Sequence, residues 1–247
     1  MIQLRPRMLL VAAVLSALLA VPAAAQVSDL GSTAASAPAT YGARGFYIEP
    51  FFSTCSIGGD FNGQTHLGDG SELFLMPKIN SSSGLGIGAG YKTPGGSFGV
   101  YYFGSSHSMT ATVLNYPSGY NGSYSAFGLL FTQQFGLNNR FQPYVTAGIN
   151  MARVTVTGGA FTQTQIGDAT FSGFGIDAGA GLLFYATPQI FVRAGLLYRE
   201  TVFGWVKGLL DEAKPMSTLY LDFAQTQVAT IRLAGGLAFM LSAGYTF

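Results

Sequence analysis

Between residues 231 and 247 apolar and small or polar positions alternate without interruption. Ile231, Leu233, Gly235, Leu237, Phe239, Leu241, Ala243, Tyr245 and Phe247 fall on one side, and Arg232, Ala234, Gly236, Ala238, Met240, Ser242, Gly244 and Thr246 on the other. A period of two held this long predicts a strand with one apolar face. The same alternation predicts seven further strands, so the full set is 44–56, 82–92, 97–108, 123–135, 141–156, 172–186, 189–202 and 229–247. Each is long enough for the roughly 9–11 residues that a tilted membrane-spanning strand needs.

The faces point to lipid rather than water on the outside. In the second segment Leu85, Ile87, Ala89 and Tyr91 oppose Gly84, Gly86, Gly88 and Gly90, and in the sixth Phe174, Ile176, Ala178, Ala180, Leu182 and Phe184 oppose Gly173, Gly175, Asp177, Gly179 and Gly181. A soluble barrel would hold its larger apolar side chains inside and would here turn faces of nearly pure glycine and alanine to water. The connections alternate as well: about 25 residues, then Thr93–Gly96, about 14, then Gly136–Arg140, about 15, then Thr187–Pro188, then about 26, as expected for a barrel with short turns at one end and long loops at the other.

Composition agrees with that pattern. Of 247 residues, 49% are hydrophobic and only 9% charged, far below the roughly 25% charged residues of soluble domains. Yet after residue 25 no stretch of roughly 18 uncharged apolar residues occurs, which excludes a helical membrane protein. At the N-terminus Arg5 and Arg7, the apolar run Met8–Val21 and Ala23-Ala24-Ala25 predict a signal peptide over 1–25, cleaved before Gln26. Residues 26–43, with the small-residue run "AASAPATYGA", are expected to be a linker, and 44–247 the barrel domain. Without Arg5 and Arg7 the 12 Lys and Arg fall to 10 against 11 Asp and Glu, a balance that offers no case for nucleic acid. Cys55 is alone, so neither an intramolecular disulfide nor a thiolate metal cluster is expected.

The signal peptide, the eight segments and the terminal "MLSAGYTF" resemble the small eight-stranded outer-membrane barrels of the OmpA/OmpX type, over about residues 44–247. The resemblance implies an all-β fold, an eight-stranded antiparallel up-and-down transmembrane β-barrel in the bacterial outer membrane with both termini periplasmic. It also implies that Leu241, Ala243, Tyr245 and Phe247 form the assembly signal read by the barrel insertion machinery. Partners expected on that footing are outer-membrane lipid and lipopolysaccharide, the insertion machinery during biogenesis, and a surface ligand through the extracellular loops; no cofactor and no metal is expected.

Eight strands enclose an interior that side chains can fill. The expected lumen residues include Tyr47, Glu49, Phe51, Tyr101, Phe103, Tyr144, Asn150, Asp177, Leu183, Tyr185, Arg193, Leu197, Arg199 and Arg232, with large rings lying over neighbouring glycines. Counting from the short turns brings Asp177 level with Arg199 and Glu49 level with Arg193, which predicts two tiers of ion pairs in a network that also holds Arg232.

Chemistry elsewhere is sparse. "FGSSHSM" places Ser105, Ser106, His107 and Ser108 at the extracellular end of the third segment, where a lipid-modifying hydrolase would use His107 as base and a carboxylate such as Asp60, Asp69 or Glu72 to orient it. Serine-rich rims are also ordinary features of surface loops. His66 reads as a solvated loop residue, "GDGSE" lacks the spacing of an EF-hand, and "GLGIGAG" lies mid-strand rather than between strand and helix. The first and fourth loops carry apolar runs, "ELFLMPKI", "FGWVKGLL" and "LYLDFAQ", which read as strand extensions, a short cap over the barrel mouth, or a contact surface. The expected function is a non-enzymatic outer-membrane barrel with a filled lumen and four presented loops, for envelope integrity or surface interaction. The rivals are a porin-like narrow channel and, third, a lipid-modifying enzyme.

Overall fold

A computed structural model of the chain describes residues 41–56, 61, 65–67, 73–75, 78–113, 116–137, 139–156, 169–207, 214–215, 232–233 and 236–247. Eight long strands run through them: β1 (Gly45–Cys55), β2 (Ser82–Thr93), β3 (Gly96–Val113), β4 (Tyr116–Gln134), β5 (Phe141–Val156), β6 (Ala169–Tyr185), β7 (Ile190–Lys207) and β8 (Leu237–Thr246). Each pairs antiparallel with its sequence neighbours, and β8 also pairs with β1 from Tyr47↔Thr246 to Ser53↔Met240, so the sheet closes into a barrel. Among the described residues each of the eight strands has a partner on both sides, which is what allows a β-structure to span lipid, where an unpaired backbone group has no water to bond.

The three short turns are chemically specified. Pro94 and Gly95 join β2 to β3, with Gly95 at φ +92° as the left-handed residue that follows proline in a type II turn. Gly136, at φ +72°, bends the chain between β4 and β5. Between β6 and β7 the Thr187 hydroxyl accepts hydrogen bonds from the backbone N–H of Ile190 (2.9 Å) and Gln189 (3.3 Å). Both barrel ends of the chain lie at this same rim, where the Phe247 N–H donates to Phe46 O at 2.8 Å.

Alternation along the strands is matched by the exposure of the side chains. An outward belt is bounded near the short turns by Phe46, Phe98, Phe131, Phe141, Tyr245 and Phe247, and at the other edge by Phe52, Tyr102, Phe127, Phe174 and Phe239. Two aromatic girdles with aliphatic residues between them are the outer surface of a transmembrane barrel. Above the upper girdle the outward positions turn polar: Ser106, Ser108 and Thr110 on β3, Asn121 and Ser123 on β4, Arg153 and Thr155 on β5.

The strands extend further above the belt than their apolar pattern indicates. β3 and β4 pair as far as Val113↔Tyr116, where a connection of about 14 residues was expected, and β6 and β7 pair as far as Thr170↔Lys207 across a bulge between Phe203 and Trp205. The reason is that strand pairing requires only backbone. Once the outward faces leave lipid they carry hydroxyls, and the apolar half of the alternation disappears from the sequence while the ladder continues. The last strand differs in the other direction: β8 starts at Leu237, and Arg232–Leu233 is a separate short piece paired with Val202 and Thr201 of β7.

Candidate functional site: the lumen and its mouth

The lumen is packed in layers set by strand register. At the turn end, Lys92 of β2 points inward and is 1% exposed. Its Nζ lies 3.2 Å from the Phe191 ring centroid and donates to the Tyr185 hydroxyl at 3.2 Å, while the Tyr185 hydroxyl in turn donates to Gln134 Oε1 at 3.2 Å. Below this layer Tyr41 packs against Tyr185 and accepts a hydrogen bond from Arg140 Nε at 2.8 Å, which ties the chain ahead of β1 across the rim.

One layer up, Arg193 Nε lies 3.3 Å from Glu49 Oε1, and Ser242 Oγ donates to the same carboxylate oxygen. Arg193 Nε and Nη2 make no geometrically sound hydrogen bond, so charge rather than directed bonding holds this pair, with the guanidinium 5.1 Å from the Tyr144 ring centroid. Higher still, Arg199 Nε donates to Asp177 Oδ1 at 2.8 Å, the Tyr101 hydroxyl donates to Asp177 Oδ2 at 2.5 Å, and Arg199 Nη2 donates to the Tyr101 oxygen at 3.2 Å. The Arg199 guanidinium also lies within 5.8 Å of the Phe103 and Tyr124 ring centroids. The two layers thus bring together Glu49 with Arg193 and Asp177 with Arg199. Arg232 contributes only its backbone to the description; its side chain lies outside the described residues. Of the C-terminal set, Leu241, Ala243, Tyr245 and Phe247 all face outward into the belt.

Aromatic rings fill the remaining space by lying on glycine. The Phe51 ring occupies the place a Cβ would take on Gly86, and Phe191 does the same over Gly244. Tyr101 lies over Gly128 of β4 rather than over the glycine face of β2, because the tilt of the strands carries it to the next hairpin. Between the two charged layers remains a cavity of about 30 Å³, lined by Tyr47, Glu49, Tyr101, Arg193 and Arg199, room for one or two water molecules.

The mouth contains a polar relay. Ser105 and His107 face inward and are buried, whereas Ser106 and Ser108 face outward. His107 Nδ1 is 2.8 Å from the Asn80 carbonyl oxygen and Nε2 is 2.8 Å from Ser105 Oγ. A carbonyl only accepts, so Nδ1 carries the proton and Nε2 accepts from the Ser105 hydroxyl. Desolvation holds the His107 pKa below its ordinary value, against the opposing effect of the Asn80 bond. This is a hydroxyl bonded to a base, but a backbone carbonyl stands where a hydrolase places a carboxylate. Asp60, Asp69 and Glu72 lie outside the described residues, as does the side chain of His66. Cys55, at the end of β1, is buried beside Ser105 and Arg199, and burial pushes its thiol up. Over the relay, Phe61 packs edge-on against Phe171 (5.4 Å) and Phe203 (6.1 Å) and closes part of the mouth with a ring from the first long connection.

Lys92 and His107 were not placed inside by sequence reasoning, although parity would have found both: Lys92 shares the face of Gly84–Gly90, and His107 that of Tyr101 and Phe103.

A closed eight-stranded barrel with an apolar outer belt and a polar, filled interior defines a transmembrane β-barrel of the bacterial outer membrane. The chain belongs to the family described as the outer membrane protein beta-barrel domain, whose pattern matches residues 11–208. Among solved structures it is similar to the outer membrane protein OprG from Pseudomonas aeruginosa, at 15% identity and a TM-score of 0.53, covering 84% of this chain and 97% of that one. It is also similar to Neisserial surface protein A, at 16% identity and a TM-score of 0.46, covering 82% and 97%. A third is the outer membrane protease OmpT from Escherichia coli, at 10% identity and a TM-score of 0.39, covering 87% and 99%. At 15% identity the likeness to OprG establishes the fold alone. No curated protein shows significant similarity to the chain.

Proposed function

We propose that this protein is a closed, non-conducting barrel that anchors a surface platform in the outer membrane and acts through its extracellular mouth, in envelope integrity or surface contact. The observation that carries this reading is the packed lumen: among the described residues, two charged layers and an aromatic-caged lysine fill the interior, with a space of about 30 Å³ between the charged layers. Residues 1–25 act as a cleaved signal peptide and 26–43 as a linker. The short-turn rim and both termini face the periplasm, and Leu241, Ala243, Tyr245 and Phe247 form the signal read by the insertion machinery. Above the belt, the outward hydroxyls of Ser106, Ser108, Thr110 and Ser123 stand at the height of lipopolysaccharide sugars, to which they offer both donors and acceptors.

Single-channel recording of the purified protein in planar bilayers, wild type beside Arg199→Ala, tests this. The expected outcome is an absence of conductance steps from wild type. Reproducible wild-type steps whose size or selectivity changes with Arg199→Ala would replace this reading with a porin-like channel gated by the lumen charges.

A hydrolase reading draws on one specific observation, the Ser105–His107 bond of 2.8 Å. Lipid A and phospholipid profiles of cells carrying wild type or His107→Ala address it, and identical profiles are expected.

A further inference from the structure

The seam that closes the barrel is incomplete at one place. The β1–β8 ladder runs through Tyr47↔Thr246 and Ile48↔Tyr245, omits Glu49 and Pro50, and resumes in the same register at Phe51↔Ser242. Pro50 is the physical cause, since it has no N–H to donate and occupies a strand interior that would otherwise be continuous. By contrast, β8 pairs with β7 at every position from Ile190↔Tyr245 to Tyr198↔Leu237.

Outside this gap lies an open groove of about 470 Å³ in the apolar belt. Its walls are Phe52, Leu85, Val192 and Leu241, with the small residue Ala243 between them. The groove also reaches three residues of the opposite face, Phe51, Gly86 and Ser242. Phe51 lines the lumen cavity as well, so its ring, resting on Gly86, is the partition between groove and lumen. The trough starts beside Val192, near the short-turn rim, and rises to Leu85 near the upper girdle.

We propose that the β1–β8 seam at Pro50 seats one acyl chain of a phospholipid in a fixed position. The groove lies in the belt of a chain belonging to an outer-membrane family, so hydrocarbon is what surrounds it. Its walls are apolar, and its lowest wall residue, Val192, stands two positions into β7 from the short turn, beside the leaflet that holds phospholipid if that rim is periplasmic. The choice of leaflet therefore rests on the orientation proposed above; the seat itself does not. A chain lying over the gap covers the interrupted ladder and keeps water from the Glu49–Ser242 bond behind it.

The test uses the full-length protein in nanodiscs of phosphatidylethanolamine and phosphatidylglycerol containing a trace of phosphatidylethanolamine with a diazirine midway along one acyl chain. After irradiation, adducts are mapped by mass spectrometry. Expected is a severalfold enrichment on Phe52, Leu85, Val192 and Leu241 over Phe127, Phe131 and Ile149 of the opposite wall. Val192→Trp, which fills the groove from its edge, and Pro50→Ala, which restores the missing donor, should each abolish the enrichment while heat-modifiable migration shows the barrel intact. Equal labelling around the belt, or enrichment that survives both variants, overturns the proposal. Loss of the adducts to unlabelled lipopolysaccharide but not to unlabelled phospholipid overturns the choice of occupant. None of these outcomes depends on whether the lumen conducts.

Discussion

Asp177 and Arg199 are direct partners in the β6–β7 ladder, and their side chains meet inside the barrel at 2.8 Å, both buried. A third group, the Tyr101 hydroxyl, bonds to both, so the layer is a closed triad rather than an isolated pair. Removing one charge leaves the other uncompensated in a low-dielectric space. Asp177→Ala is therefore expected to reduce unfolding free energy by about 3–5 kcal/mol, while the double variant Asp177→Leu/Arg199→Leu should recover most of it. Urea unfolding in detergent micelles, followed by the fluorescence of Trp205, measures both; wild-type stability of Asp177→Ala would contradict this account.

Lys92 presents the opposite case, a buried cation whose contacts are aromatic rings and a phenol rather than a carboxylate. Its stem fills the turn end of the lumen while its charge carries a desolvation cost. Lys92→Met keeps the stem and discards the charge, so its unfolding midpoint in urea should equal or exceed that of wild type. Lys92→Ala empties the space and should lose about 2 kcal/mol or more. A destabilised methionine variant would mean that the cation–π contacts outweigh the burial cost.

Strand count, closure and the two ion-pair layers were legible because each depends on parity and on distance from a short turn, and both can be counted along a chain. Glu49 and Arg193 are 144 positions apart in sequence, yet each sits a few residues above the same rim. The mouth was less legible. Above the belt no lipid selects apolar side chains, so β3 and β4 continue past residue 108, through Thr110 to Val113↔Tyr116, in a stretch that reads as loop. Phe61 as a cap was hidden for a different reason: its burial arises from contacts with Phe171 and Phe203, more than 100 residues away, and no local period records them.

His107 makes the mouth sensitive to acid. Its pKa lies below the ordinary histidine value through desolvation, so the closed mouth prefers the neutral ring. As pH falls from about 6.5 through the lower folded-state value, the open or unfolded state takes up the proton first and the closed mouth loses stability. Protonation also removes the Nε2 lone pair that accepts from Ser105. Amide hydrogen exchange around Asn80 and Ser105 should accelerate on acidification from pH 7 to pH 5, beyond the intrinsic effect of pH, and His107→Gln should lose that dependence. A histidine titrating at or above its usual value by NMR would remove the basis of this prediction.

Phe247 separates a folding role from a recognition role. In the folded barrel its ring is 74% exposed on the lipid side, packs edge-on against Tyr245 at 5.1 Å, and its N–H makes one backbone bond to Phe46 O. Losing one such bond and a peripheral ring contact removes only about 1–2 kcal/mol from the finished structure. If Phe247 is part of the signal read by the insertion machinery, its deletion should leave refolding into detergent nearly normal but sharply reduce heat-modifiable barrel in the outer membrane of cells, with export unaffected. Equal, mild losses in both settings would reduce Phe247 to an ordinary residue of the aromatic girdle. The recognition role would then have to lie elsewhere in β8, at Leu241, Ala243 or Tyr245.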